Sequence, residues 1–351
     1  MSEAPTPPVA PKKKSLTEIF NHFASDATER FPQLKGQLLI LDMNEHRAHG
    51  NKDIDTKKTG LTKETALDYL SEHPLTQQME KDKRMSSLAT RDPERNVNII
   101  MINDSVDKSE RGDVSKKTEQ HLLFVLDHEL AHCAIKNGFS NGARGDTYSV
   151  LMGESIADAY ALIRHYQRFG TESAANNKYV SPGGRADNFM LWGDSGHFTS
   201  FVLDAITKRK DVIDFNKLDS QQTADLARRF ALEYIPPKQV IDDLSWAFAP
   251  IKSEFKKNPS TGLKALIEKT LDPTSDYYTF KFGSLWLKAY MEDRTLADGK
   301  PINLPKEYLD DAAKKLKERE LKFAKEDILF NMPIVPSKPP AYGFNAPKFA
   351  A

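Results

Sequence analysis

Residues 118–138 read TEQHLLFVLDHELAHCAIKNG, and this stretch decides the fold. Thr118 with Glu119 makes a helix start and Asn137-Gly138 a stop, so the spacing predicts about 20 residues and ~30 Å of helix. Leu122, Leu123, Phe124, Val125, Leu126, Leu130, Ala131, Ala134 and Ile135 cover almost every side of it. A helix that is apolar all round belongs in the interior. Four polar residues, Asp127, His128, Glu129 and His132, interrupt it. Burying such groups without a partner or a purpose is costly.

His128 and His132 are four residues apart, so on a helix they share one face about a turn apart. That spacing lets two imidazoles grip one tetrahedral metal ion. Glu129, one position along, reaches the open coordination position and can take a proton from a water that the metal has acidified. The competing reading is a core helix whose histidines only hydrogen-bond to neighbours. A lone histidine fits that reading; a pair at this spacing on a buried helix fits a metal better. Two imidazoles leave a catalytic metal short of a ligand. Glu154, 22 residues past His132 in Gly153-Glu154-Ser155-Ile156-Ala157-Asp158, is the leading third ligand. Ile156, Ala157, Ala159, Ala161 and Leu162 surround it with apolar residues, and Gly153 lets two backbones approach closely.

His197, following Gly193-Asp194-Ser195-Gly196, is the rival third ligand. At a helix start it is also the candidate to stabilise an oxyanion, ahead of Tyr148 and Tyr160. Other histidines fit less well. His165 stands eleven residues past Glu154, ~16 Å along a helix, and reads as structural or surface. His121 is two turns before His128. Cys133 points about 100° away from His132 and reads as a small buried apolar residue.

His128-Glu129-x-x-His132 followed by Glu154-x-x-x-Asp158 resembles the gluzincin zinc metallopeptidases, the thermolysin-like group, over roughly Leu122 to Leu162. The resemblance implies Zn2+ held by His128, His132 and Glu154, with Glu129 as general base and a protein or peptide as substrate. It also implies that Asp158 orients His128, and ligating imidazoles do usually donate their other N–H to a carboxylate. Members of this family often use a His or Tyr to stabilise the transition state, though no motif marks His197 for that role. They also bind extended peptide along an edge strand beside the active-site helix. Asn96 to Ile102 is the candidate for that strand, with an interior position the even alternative. Two further functions stay open: hydrolysis of a small amide or ester, and a non-catalytic interaction protein with a structural metal.

Outward from this centre, the chain divides into four stretches. Residues 1–15, rich in Pro, Ala and Lys, read as a disordered tail, and 331–351 as a Pro-rich extended tail. Residues 16–117 read as an N-terminal α/β region: a helix capped by Ser15 or Thr17, a strand at Gln37–Leu41, a helix at Thr62–Glu72, the strand at Asn96–Ile102, and a polar loop from Asn103 to Lys117. Residues 118–330 read as helical, with a second helix from Thr147 to Phe169 stopped by Gly170, a loop from Thr171 to Gly196, and a third helix starting near Ser195 or His197. No internal repeat is visible. The expected fold is α+β: a small sheet region beside a predominantly helical body, with the cleft between them.

The 351 residues, 39% hydrophobic and 28% charged, suffice for a sizeable core. Fifty basic residues balance fifty acidic ones, which argues against general nucleic-acid binding; the short runs Lys12-Lys13-Lys14 and Lys57-Lys58 read as solvated loops. One cysteine precludes an intramolecular disulfide. No stretch approaches the ~20 apolar residues of a membrane span, and residues 1–15 lack a signal peptide's apolar segment. The expected location is cytoplasmic, with secretion independent of a signal peptide also compatible. Oligomeric state is not legible.

Overall fold

The computed structural model describes residues 14–43, 77, 87–92, 96–103, 112–135, 147–176, 180–192, 198–293 and 304–330. The helix expected at Thr62–Glu72, the tail 331–351, His197, Lys57-Lys58 and most of the loops around 104–111 and 193–197 lie outside these residues.

Helix α1 (Leu16–Arg30) begins at Ser15, whose hydroxyl accepts the Glu18 N–H while the Glu18 carboxylate accepts the Ser15 N–H at 2.7 Å. This reciprocal cap selects Ser15 over Thr17. Lys14 also belongs to the body rather than to a tail. Its ammonium donates to Glu119 at 2.8 Å and its carbonyl accepts the Val114 N–H at 2.9 Å.

Strands β1 (Leu38–Asp42), β2 (Ser87–Asp92) and β3 (Val97–Ile102) form one sheet in the order β1-β3-β2. β1 runs parallel to β3, with Leu38 opposite Asn98, and β2 runs antiparallel, with Ser87 opposite Ile102. Every residue of β3 is buried, which explains its near-continuous apolar run. β3 is therefore the interior strand and cannot accept an added peptide, because both its edges are paired. β2 lies beside the His-Glu-x-x-His helix, and its outer edge has no partner strand among the described residues.

That helix, α2 (Lys116–Ala134), starts two residues earlier than expected, because Ser115 rather than Thr118 supplies the capping oxygen. It ends at Ile135, short of the expected Asn137-Gly138. Helix α3 (Thr147–Phe169) ends as expected at Gly170, whose φ of +79° is natural only for glycine. The following stretch is not simply a loop. It holds a 3-10 turn (Thr171–Asn176) and helix α4 (Pro182–Trp192). Pro182 sits in the first turn, where its missing N–H costs nothing, and the Ser181 hydroxyl accepts the Gly184 N–H at 3.0 Å. Helix α5 (Ser200–Thr207) starts later than Ser195 or His197. Helices α6 (Ser220–Tyr234), α7 (Lys238–Lys257), α8 (Pro259–Leu271), α9 (Tyr277–Asp293), α10 (Lys306–Lys322) and α11 (Ala324–Phe330) complete the body.

Helices take 76% of the described residues, so the fold is α+β with a predominantly helical body and one small sheet. A continuous apolar core runs from Leu16 on α1 to Leu316 on α10. α2 and α3 pack against each other most extensively and lie at its centre. None of the described helices is both long and apolar enough to cross a membrane.

Gly183, within the stretch expected to be a loop, lets α4 press onto α9. A Cβ there would lie 2.7 Å from both Ala289 Cβ and the Leu285 carbonyl oxygen. Gly183→Ala should therefore lower the unfolding free energy by about 1–3 kcal/mol in urea titrations.

Candidate metal centre

α2 presents His128 and His132 one turn apart, and α3 brings Glu154 against both. His128 Nε2 lies 3.2 Å from His132 Nε2 and 3.1 Å from Glu154 Oε2. His132 Nε2 lies 3.5 Å from Glu154 Oε1. Around a tetrahedral ion with bonds of about 2.0–2.1 Å, neighbouring ligand atoms stand about 3.3–3.4 Å apart. The three separations straddle that value, so the donors fit one small divalent cation. Among the described residues this is the one such group of three or more. Side-chain exposure rises from 9% at His128 to 18% at Glu154 and 26% at His132, so the centre opens to solvent on the His132 side.

Asp158, one turn beyond Glu154 and fully buried, stands behind His128. Its Oδ1 is 2.8 Å from His128 Nδ1, where the sequence placed it. Two further donors reach this carboxylate. The Thr199 hydroxyl donates to Oδ2 at 2.5 Å, and Arg185 on α4 donates to Oδ1. With Asp158 accepting at Nδ1, the proton of a neutral His128 sits there and the Nε2 lone pair faces the other donors.

Glu129 is 5% exposed and makes no hydrogen bond or ion pair with the described residues. Its position next to His128 on α2 makes it the group available for proton transfer. Tyr160 is unsuited to an oxyanion role: it is fully buried, its hydroxyl accepts from Arg30, and burial pushes its pKa up to about 12. Tyr148 lies half-buried in the first turn of α3. Cys133 packs against the core, and His165 is buried and hydrogen-bonded to Ser173 Oγ at 2.8 Å. Arg185 and Thr199 escaped the sequence reading. Arg185 follows two glycines in a stretch that looked like a loop, and a lone threonine before an apolar helix carries no signal.

No protein family, curated protein or solved structure matches this chain.

The centre's electrostatics follow from its own residues. Burial opposes charge on His128, but hydrogen bonds and charges from Asp158 and Glu154 outweigh it and push its pKa up to about 10. Burial would raise Glu154 and Asp158. Hydrogen bonds with His128 and His132 hold Glu154 well below the carboxylate range, and Arg185, His128 and Thr199 hold Asp158 well below it too. Without a metal, the raised His128 stabilises the fold below its ordinary pKa of 6.5, and that contribution is lost as pH rises towards about 10. The two lowered carboxylates contribute above their ordinary pKa values and lose that contribution in acid. A metal reverses the histidine's preference, because a ligating imidazole must be neutral.

Two outcomes follow. The gap in melting temperature between metal-loaded and chelator-treated protein should widen from pH 5.5 to pH 9, since the difference cancels groups remote from the site. Asp158→Asn should weaken metal binding about 10–100-fold in competition with a chromophoric chelator.

Proposed function

We propose that the chain is a zinc-dependent metallopeptidase that hydrolyses peptide bonds in selected protein substrates. The observation that carries this reading is Glu129: directly after His128 on the helix that supplies two of the three converging donors, it has no hydrogen-bond or ion-pair partner among the described residues. A purely structural metal site has no use for such a group. The resemblance to the gluzincins supports the same assignment, and the two imidazoles and carboxylate are a donor set suited to zinc.

A bound zinc ion would acidify water and polarise the scissile carbonyl. His128, His132 and Glu154 hold that position, and Asp158 keeps the His128 proton on Nδ1. Glu129 takes the proton of the attacking water as the C–O bond forms, then delivers it to the amide nitrogen as the C–N bond breaks. The outer edge of β2, beside α2, is the strand available to an extended peptide. We place the protein in the cytoplasm, a reducing setting compatible with the single thiol of Cys133.

Glu129→Gln should keep stoichiometric zinc while cleavage of a fluorogenic peptide library falls about 10²–10⁴-fold. Unchanged turnover would remove Glu129 from the chemistry. Wild-type activity on small esters or amides but on no peptide would replace the peptidase reading with that of a small-molecule hydrolase.

A further inference from the structure

Of the four polar residues on α2, Asp127 takes no part in the centre. It precedes His128 and is fully buried, and adjacent helix positions project about 100° apart. Arg30, in the last turn of α1, donates to its Oδ1 at 3.2 Å. Arg168, near the end of α3, grips both carboxylate oxygens, one of them at 3.2 Å. The grip extends further. Asp26 lies 2.8 Å from Arg30, 3.4 Å from Arg164 and 3.1 Å from Arg168, and Arg30 also donates to Tyr160 on α3.

α2 is thus tied to α3 in two directions, through His128 to Asp158 and through Asp127 to Arg168. A helix held along one direction can roll about its axis; one held along two directions ~100° apart cannot. A roll of ~20° moves a side-chain atom about 6 Å from the axis by roughly 2 Å. Metal–ligand distances tolerate about 0.2 Å. Small freedom in α2 would therefore separate His128 and His132 from Glu154, which α3 carries.

We infer that Asp127, clamped by Arg30 and Arg168, is a positioning residue that fixes the rotation of α2 and so the geometry of the metal centre. The inference rests on the reading of His128, His132 and Glu154 as metal ligands. A second, partly exposed ion network supplies a control. Asp327 on α11 lies 2.6 Å from Lys208 and 2.7 Å from Lys281, and accepts from Tyr277 at 3.1 Å, and these four residues lie outside α2 and α3.

The test loads full-length protein with Co2+, whose visible absorption reports coordination geometry independently of turnover. Asp127→Asn should shift and weaken the wild-type bands and lower Co2+ affinity about 10-fold or more. Asp327→Asn should lower the melting temperature while leaving spectrum and affinity at wild-type values. A wild-type spectrum and affinity in Asp127→Asn would overturn the inference, as would an equal spectral change in Asp327→Asn. If wild type takes up no Co2+, the metal centre itself fails and the inference falls with it. Should Asp127→Asn not fold, Arg168→Lys, which keeps the charge but loses the two-pronged grip, carries the same expectation and the same refutation.

Discussion

A charge on a packed helix needs a partner or an outlet to solvent, and the apolar stretch of α2 carries Asp127, His128, Glu129 and His132 into such a setting. Asp127 is answered by two arginines, His128 by Asp158, and His132 by His128 and Glu154. The neighbours that supply these partners are the elements packed around it. α1 brings Arg30, α3 brings Glu154, Asp158 and Arg168, and α4 brings Arg185 up against Asp158. Each packing contact is thereby also an electrostatic one, and the centre forms only where the helices already meet.

The charges around the centre do not balance among themselves. Of the carboxylates of Glu129, Glu154 and Asp158, Asp158 alone meets a guanidinium among the described residues, that of Arg185. Asp158 is the best satisfied of the three, with His128, Arg185 and Thr199 as donors. Its partners do not depend on a metal, so it can hold the His128 ring before and after one binds.

Much of this arrangement was legible in the sequence because it rests on helical spacing. His128 to His132 is one turn, and a turn has the same geometry in any protein, while Asp158 as the partner of His128 came from the resemblance to the gluzincins. The all-apolar flanks of α2 gave its burial, and Gly170 gave the end of α3. The misreadings share one physical cause, which is that local residue type does not report tertiary approach. Gly183 resembles a loop glycine but serves a close helix crossing, so α4 and its Arg185 were missed. The apolar run of β3 left open whether it was an edge or an interior strand, because its pairing with β1 is set by residues about sixty positions away. Asp127 was visible as an anomaly, but its arginine partners lie on other helices.

The ion cluster behind α2 also has a meaning in time. Arg30 and its partner Tyr160 are 130 positions apart. At about 5–20 residues per second, a ribosome delivers the first roughly 7–26 s before the second. Throughout that interval the cationic end of α1 lacks its partners on α3. The candidate metal centre faces a shorter delay, about 1–4 s, since His128 and His132 leave the ribosome before Glu154 exists to close it. Neither cluster can be assembled piecemeal during synthesis, so this nascent chain must either stay open or be sheltered until α3 arrives.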